Sequence, residues 1–386
     1  MFRVWVHAIL LTAGRVGGRR PAGRVGILVW WSVAVAACTP GHSADEQPAA
    51  AVAQAVATDT LAPLRIDSLF RAAVSSHGFS GAVLVASQGE VLHTAAYGYA
   101  DHQRRDTLTT DHRFQLASVS KIFTATAVLQ LQARGQLDTR DRVQQYLPEF
   151  PYDSIRIHHL LKHRTGLSSY FGFDWQKSAK TDAQAVLRKL DTLRLSLWFT
   201  PGSDFNYSNT NYVILAVLVE RVSGLAFDDY LTRHILAPCG MTQTYLGSYT
   251  ARQPLTATGY DQRRKRLLPA GGDHLDDALG DKGMYATVVD LYRFRQCFFQ
   301  GDLLPADLRE AALTGEVPDD PYAYGWRLVP GQAGLSYHFG WWRGYRSCFI
   351  HDRQLDLTLI ILSNIASEKE GLDFWNIFHS LCDLVH

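Results

Sequence analysis

A serine and a lysine stand three positions apart, at Ser118 and Lys121, where an apolar stretch with helical spacing begins. Residues three apart share one face of a helix, so the lysine amine is expected beside the serine hydroxyl. An amine kept free of its proton can accept the serine proton and make the hydroxyl a nucleophile. The backbone N–H groups of a helix N-terminus can hold the resulting oxyanion. The pair predicts a nucleophile at Ser118, although this spacing alone is weak because it also arises by chance.

A second candidate pair is Tyr207 and Asn209, in a turn-rich segment just before another apolar helical stretch. A phenol can pass a proton to a leaving group, and an amide can position both a lysine amine and a substrate carbonyl. The alternative is structural, because a helix N-cap that follows a core tyrosine gives the same pattern. Tyr207 is therefore a candidate for proton transfer and Asn209 a candidate for positioning.

The third candidate is His338 with Gly340, directly before two tryptophans and a predicted strand. A polar residue and then a glycine on an edge strand let a substrate lie against the backbone. The next backbone N–H, that of Trp341, can then donate to the oxyanion. This short pattern carries no weight when it stands alone.

Together and in this order, the three patterns resemble the serine β-lactamase and penicillin-binding-protein superfamily, in its branch close to class C β-lactamases. The resemblance runs from about Phe79 to Ser367 and includes the segment 280–284 and the segment 160–167. It implies a hydrolase that forms an acyl-enzyme on Ser118. It also implies that Lys121 and Tyr207 move protons, and that the Ser118 and Trp341 N–H groups hold the oxyanion.

The resemblance leaves the substrate open, since the superfamily includes β-lactamases, D-alanyl-D-alanine carboxypeptidases, D-aminopeptidases and esterases. Penicillin-recognising members usually carry a threonine where this chain has Phe339, and phenylalanine cannot bind a substrate carboxylate. Phe339, Trp341, Trp342 and Tyr170 are expected to line an aromatic cleft, which favours an ester or amide with an apolar group. Arg343 could replace the lost carboxylate contact, and the alternative is then a carboxypeptidase or β-lactamase. A different class of function is a sensor or binding module that is acylated once and does not turn over.

The elements that must position these residues alternate in type along the chain. The order of helix, strands, helical middle and returning strands predicts an α+β fold. By resemblance, this is a β-lactamase/transpeptidase-like antiparallel sheet flanked by helices, with a mostly helical subdomain. The predicted helices are 64–76, 121–133, 157–162, 183–190, 211–222, 227–235 and 371–384. The predicted strands are 81–87, 91–98, 324–329, 345–351 and 355–362.

The N-terminal segment has the pattern of an export signal. Arginines precede an apolar run at 25–37 that is too short to span a bilayer comfortably, and small residues lead to Cys38. This end resembles a bacterial lipobox, which would make Cys38 the lipid anchor; an ordinary signal peptide is the alternative. The predicted organisation is a signal peptide at 1–37, a tether at 38–62 and a hydrolase domain at 63–386. We expect an exported cell-envelope lipoprotein, periplasmic or on the outer surface, attached to the membrane by lipid alone.

The resemblance implies a small-molecule ester, amide or peptide as the partner, and the composition gives no reason to expect nucleic acid. The formal net charge is +1, so no strong field favours nucleic acid. His159 and His163 have the spacing of helical zinc ligands, but no glutamate or third ligand accompanies them, so neither a metal nor a cofactor is expected. The pairing of the four later cysteines and the oligomeric state stay open. Those cysteines are Cys239, Cys297, Cys348 and Cys382.

Overall fold

The computed structural model describes residues 49–176, 180–249, 252–263, 266–317, 319–366 and 372–385. Within these ranges the helices are α1 Ala49–His77, α2 Ser120–Ala133, α3 Ile157–Leu161, α4 Ala183–Leu193, α5 Asn209–Ser223, α6 Phe227–Leu231, α7 Val288–Phe299, α8 Ala306–Ala312 and α9 Phe374–Val385. The strands are β1 Gly81–Ser87, β2 Glu90–Tyr97, β3 Tyr99–Asp101, β4 Asp106–Thr107, β5 Phe114–Gln115, β6 Tyr245–Leu246, β7 Tyr260–Arg263, β8 Arg266–Pro269, β9 Met284–Ala286, β10 Arg327–Leu328, β11 Leu335–Trp342, β12 Tyr345–Asp352, β13 Leu357–Ser363 and β14 Ile365–Ala366.

The main sheet has six strands in the order β10-β11-β12-β13-β1-β2, and all neighbouring strands in it are antiparallel. β1 and β2 form the predicted hairpin. Its turn residues Gln88 and Gly89 have φ values of 51° and 80°. Positive φ at both positions is what a two-residue type I′ turn requires, and this turn matches the twist of the strands. The α+β prediction is confirmed.

The sheet lies between two apolar layers, because successive side chains of a strand point to opposite faces. Val83 and Val85 face a core that includes Phe70 of α1 and Phe378 of α9. Leu84 and its equivalents on the other strands face the larger core around α2. The second layer carries the N-terminus of α2, and therefore Ser118 and Lys121, against one face of the sheet.

A helical subdomain is centred on α5, which packs against α2, α3 and α4. Its residues from Thr210 to Val219 are all buried. No single helix among the described residues is long and apolar enough to cross a membrane. The bent pair formed by α5 and the segment 227–236, at 77°, meets the same length and composition test. The burial of α5 makes it the core helix of this subdomain.

Several elements differ from the sequence prediction. The helix α1 starts at Ala49, within the segment interpreted as a tether, and not near residue 64. β10 is limited to Arg327–Leu328 because only these residues pair with β11. α7 and α8 were not predicted. The boundaries of signal peptide, tether and domain stay predictions, and residues 1–48 lie outside the described ranges.

The cysteine question has a partial answer. Cys239 and Cys297 form a disulfide that joins the loop after α6 to α7, with their Cα atoms 5.5 Å apart. Cys348 is free and buried in β12, and Cys382 is free and partly buried in α9. The pairing that the sequence left open is therefore Cys239 with Cys297, and Cys348 and Cys382 stay unbridged.

Candidate active site

Ser118 lies in a single 3-10 turn, Ala117–Val119, that leads directly into α2. The residue before it, Ala117, has a φ of 47°, a left-handed conformation that is costly for a residue with a Cβ. This turn presents the serine at the start of the helix. The Lys121 Nζ lies 3.0 Å from the Ser118 Oγ, as the spacing of three residues predicts.

Lys121 is fully buried and makes three hydrogen-bond contacts. Besides Ser118 Oγ, its Nζ reaches Asn209 Oδ1 at 2.8 Å and the backbone carbonyl of Asp281 at 2.8 Å. A neutral amine has two N–H groups and one lone pair. Both other contacts only accept, so an unprotonated Lys121 gives them its two N–H groups and turns its lone pair to the Ser118 hydroxyl, whereas an ammonium donates to all three oxygens. The geometry is that of a general base next to its nucleophile.

Tyr207 lies next to the same amine, with its ring centroid 5.1 Å from Lys121 Nζ. Its hydroxyl is buried and has no hydrogen-bond partner among the described residues. A buried hydroxyl without a partner is costly, so such a group in a native site is expected to meet a ligand or water. Tyr207 therefore holds a free donor and acceptor beside Ser118 and Lys121.

The ring of His163 packs against the ring of Tyr207, with the two centroids 4.2 Å apart. Its Nδ1 accepts from the Ser208 backbone N–H at 3.2 Å and from the Asn211 side-chain amide at 3.1 Å. Burial, followed by the nearby charge of Lys121, holds the pKa of His163 well below its ordinary value. The ring is therefore neutral with its proton on Nε2, and it fixes the backbone that carries the tyrosine. Sequence reasoning gave this residue no role in the site.

β11 passes so close to the nucleophile turn that only glycine fits at position 340. A Cβ added to Gly340 would lie 2.3 Å from the carbonyl oxygen of Leu116 and 3.0 Å from the Cβ of Ala117. Gly340 therefore brings the strand against the serine. Trp342 pairs with Tyr345 across a two-residue turn, and antiparallel pairs alternate, so the N–H of Trp341 points away from β12. The Trp341 N–H is therefore not used in pairing with β12, as its predicted role as an oxyanion donor requires.

His338 is fully buried, and both of its ring nitrogens have partners. Nδ1 lies 2.8 Å from the carbonyl oxygen of Phe339, and Nε2 lies 3.0 Å from the hydroxyl of Tyr322. A carbonyl only accepts, so Nδ1 carries the proton and Nε2 accepts from Tyr322. Burial, with the charges of Arg327 and Lys121, keeps the pKa of His338 well below its ordinary value. His338 is therefore a neutral histidine, and it meets the expectation of a polar residue two positions before Gly340.

The predicted aromatic cleft is wrong in part, because the alternation of β11 divides its members between two faces. Phe339 packs on Phe374 and Trp375 behind the sheet, with centroids 5.2 and 5.7 Å apart. Trp341 follows on that same face, and its residue is 58% exposed. Only Trp342 shares the face of His338 and Gly340. The contribution of Trp341 to the site is limited to its backbone.

Tyr170 is close to the site but lies below its surface. The residue is fully buried, and its hydroxyl contacts Lys282 Nζ at 2.6 Å and the Asp281 carboxylate at 3.3 Å. Burial, then the Asp281 charge, raises the pKa of Tyr170 well above its ordinary value. The exposed aromatic neighbour of Trp342 is Phe171, with centroids 5.2 Å apart. Phe171 therefore takes the place in the cleft that was predicted for Tyr170.

Comparisons with known proteins identify the family of the chain. The sequence profile of the Beta-lactamase family matches residues 66–380. Over 328 residues the chain is 33% identical to Penicillin-binding protein 4* of Bacillus subtilis (strain 168), covering 79% of this chain and 72% of that protein. It is 29% identical over 358 residues to Esterase EstB of Burkholderia gladioli, covering 79% of this chain and 91% of the esterase.

Solved structures of penicillin-binding proteins share the fold of this chain. The crystal structure of a penicillin binding protein from Bacillus halodurans superposes with a TM-score of 0.71 at 22% identity, covering 81% of this chain and 98% of that one. The profile match spans most of the chain, and the sequence identity to the Bacillus subtilis protein extends over a similar length. The chain therefore belongs to the Beta-lactamase family and is a serine hydrolase of the β-lactamase-related kind.

Proposed function

We propose that the chain hydrolyses small esters or amides through an acyl-enzyme on Ser118, with Lys121 as its general base and Tyr207 as the proton shuttle. The observation that carries this proposal is the arrangement at Lys121. Its amine is 3.0 Å from Ser118 Oγ, and its two remaining contacts, to Asn209 and Asp281, are both acceptors.

The reaction proceeds in two halves. As the Ser118 Oγ bonds to the substrate carbonyl carbon, its proton passes to Lys121, and the Ser118 and Trp341 N–H groups bind the oxyanion. The proton then passes through the Tyr207 hydroxyl to the leaving oxygen or nitrogen, and the bond to that atom breaks. Water then attacks the acyl carbon while Lys121 and Tyr207 take up its proton. The bond from the acyl carbon to Ser118 Oγ breaks, that proton passes to Oγ, and the acid is released.

The test is turnover. The enzyme is mixed with a short-chain p-nitrophenyl ester in excess, and product is counted against enzyme. Steady release far beyond one equivalent is expected, because a hydrolase regenerates Ser118. One equivalent followed by a stop, with the acyl adduct retained in the intact mass, would establish the sensor or binding module instead.

The aromatic mouth of the site supports an apolar acyl or leaving group. Phe171 and Trp342 lie against each other at the cleft, and the Trp342 Nε1 donates to Asp276 Oδ1 at 2.8 Å, which fixes the ring. Flat apolar surface of this kind binds acyl chains and aromatic groups. The esterase among the relatives, which the chain covers almost end to end, supports the same choice.

A second candidate, a peptidase for substrates with a free carboxylate, is favoured by one unpaired cation. Arg343 cannot supply the carboxylate contact proposed for it, since it forms an ion pair with Asp273. Arg327 is different. Its guanidinium lies 4.8 Å from the centroid of the Tyr207 ring and 5.8 Å from that of Tyr322. None of the described acidic residues forms an ion pair with Arg327.

The Arg327→Gln variant separates the two candidates. If Arg327 binds a carboxylate, kcat/KM for a D-alanyl-D-alanine peptide is expected to fall about 10- to 100-fold, the worth of a charge-assisted hydrogen bond, with little change for a neutral ester. The control is Arg343→Gln, whose arginine is already paired with Asp273. An equal loss for both substrates would assign Arg327 a structural role. If the wild-type enzyme does not hydrolyse the peptide, the peptidase is rejected and only the hydrolase of small esters or amides remains.

We further propose export and lipidation at Cys38. The basic and apolar segment that ends in small residues before Cys38 supports this, although it lies outside the described residues. The Cys239–Cys297 disulfide adds support, because such bonds persist mainly in oxidising compartments outside the cytosol.

The Cys38→Ala variant tests the anchor. In a bacterial host given a radiolabelled fatty acid, wild-type protein is expected to carry the label and to sediment with membranes, because lipid chains on Cys38 would hold it there. The variant is expected to lose both properties while keeping its hydrolase activity. Label and membrane association retained by Cys38→Ala would contradict the lipoprotein proposal.

A further inference from the structure

The loop between β8 and β9 connects the end of β11 to the helical subdomain. Its segment 273–277, which we call the strap, has contacts on both sides. On the sheet side, the Asp273 carboxylate forms an ion pair with Arg343 in the turn between β11 and β12. On the other side, the His274 carbonyl oxygen accepts from the Thr181 N–H at 2.8 Å, just before α4. The strap therefore holds these two parts of the molecule together.

The conformation of the strap is fixed by two aspartates. Asp276 Oδ2 accepts from the Asp273 N–H at 2.7 Å, and Asp273 Oδ1 accepts from the Leu275 N–H at 2.9 Å. Asp276 is 4% exposed, and its second oxygen, Oδ1, accepts from Trp342 Nε1 at 2.8 Å. Both oxygens of this buried carboxylate thus have donors, as burial of a charged group requires. Asp276 therefore links the strap to a side chain of the active site.

Trp342 meets the helical subdomain through Phe171, with the two ring centroids 5.2 Å apart. Phe171 belongs to a 3-10 turn whose first residue, Tyr170, donates its N–H to the Thr210 hydroxyl of α5 at 2.8 Å. The indole of Trp342 cannot turn away without leaving its N–H and the Asp276 carboxylate unpaired, which is costly for buried groups. We call the two rings, Trp342 from β11 and Phe171 from the subdomain, the end wall.

The end wall lies on the acyl side of the reacting carbonyl. In the proposed reaction Tyr207 passes the proton to the leaving atom, and its ring centroid is 6.3 Å from that of His338. Trp342 is four residues further along β11, roughly 13 Å at about 3.3 Å per residue. The N–H of Trp341, which binds the oxyanion, comes between them. Because acyl and leaving groups lie on opposite sides of the carbonyl carbon, the acyl group points to Trp342.

We propose that the end wall, fixed by Asp276 of the strap, closes an acyl subsite that accepts short acyl groups and rejects long chains. The inference rests on the proposed function, because it names the acyl group of the substrate that Ser118 attacks. Gly340 packs against the nucleophile turn, and Trp342 lies two residues beyond it, so only about 7 Å of β11 separates them. A longer chain meets the two rings or passes into water, where its additional methylene groups gain no burial.

The experiment compares kcat/KM for p-nitrophenyl butanoate and octanoate, both below the concentration at which they form micelles. The wild-type enzyme is expected to prefer the butanoate by about tenfold or more, because the end wall leaves no room for four further methylene groups. In Trp342→Ala this preference is expected to fall by about tenfold, since loss of the indole opens the subsite. Asp276→Leu removes the acceptor that fixes the indole, and it is expected to change the preference in the same direction by a smaller factor.

Esters that differ only in the alcohol provide an internal control. p-Nitrophenyl butanoate and 1-naphthyl butanoate share the acyl group, so the ratio of their kcat/KM values is expected to be the same in wild type and Trp342→Ala. The matched variant is Trp198→Ala, which removes a tryptophan that is 65% exposed before α5. It is expected to keep the wild-type preference for the butanoate. A general loss of folded enzyme lowers all rates together and alters neither ratio.

Wild-type enzyme that hydrolyses the octanoate as well as the butanoate would overturn the proposal. An unchanged acyl preference in Trp342→Ala, or a change confined to the alcohol ratio, would do so too. If either variant does not fold, the preference of the wild-type enzyme still decides. Wild-type protein that turns over none of these esters would instead refute the proposed function.

Discussion

Replacing Ser118 by alanine is expected to abolish covalent labelling by a fluorophosphonate and to lower ester hydrolysis by about 10⁴-fold or more. The reason is the position of its Oγ, 3.0 Å from the amine of Lys121 at the start of α2. The variant loses only a hydroxyl in a turn that keeps its backbone bonds, so its fold and thermal midpoint are expected to stay near the wild-type values. The measurements are intact mass after exposure to the probe and the steady-state rate with a p-nitrophenyl ester.

The matched control is Ser120→Ala, two residues along the same helix. Ser120 is 1% exposed, and its Oγ accepts from the Met284 N–H at 3.4 Å, so its hydroxyl has a structural partner and no amine beside it. This variant is expected to label at nearly the wild-type rate. Labelling of Ser118→Ala as fast as the parent would show that the nucleophile is another residue and would refute the assignment of the site.

The part of the site that sequence predicted is the part that depends on local spacing. Ser118 and Lys121 are three apart on one helix, so the helical geometry alone brings their side chains together. The need for Gly340 also follows from a local rule, since a glycine in a strand often marks a close backbone approach. The structure names the partner in that approach, the turn of Leu116 and Ala117.

The aromatic cleft was mispredicted because β11, Leu335–Trp342, is not among the predicted strands. The strand predicted at 345–351 corresponds to β12. Once β11 is recognised as a strand, alternation places Phe339 and His338 on opposite faces. A strand is usually recognised by apolar and polar residues that alternate. In β11 this alternation is obscured, because apolar side chains, including the adjacent Trp341 and Trp342, lie on both faces.

Contacts made through the backbone carry no sequence signal at all. Lys121 donates to the carbonyl oxygen of Asp281, and any residue type can supply a carbonyl. The bond between Asp276 and Trp342 is recognisable only after the loop before β9 is known to lie beside β11. The Cys239–Cys297 bridge is similar, since pairing depends on which segments meet in three dimensions.

Replacing Lys121 by methionine is expected to slow acylation of Ser118 by about 10³-fold, within the range of general base catalysis. Methionine fills the same buried space without a proton-accepting atom. It leaves the Asn209 Oδ1 and the Asp281 carbonyl without the amine, which is expected to cost about 1–3 kcal/mol of stability for each. Acylation rates between pH 6 and pH 10 and the thermal midpoint measure the two effects separately.

The informative companion is Lys121→Arg, because it distinguishes a base from a fixed charge. A guanidinium keeps its proton throughout this pH range, so it preserves the positive charge and donors to Asn209 but cannot accept the proton of Ser118. If the amine acts as a base, Lys121→Arg is expected to be as slow as Lys121→Met. If it acts only as an electrostatic anchor, the arginine restores much of the rate, and the proton from Ser118 must then go to Tyr207, whose buried hydroxyl has no other partner among the described residues.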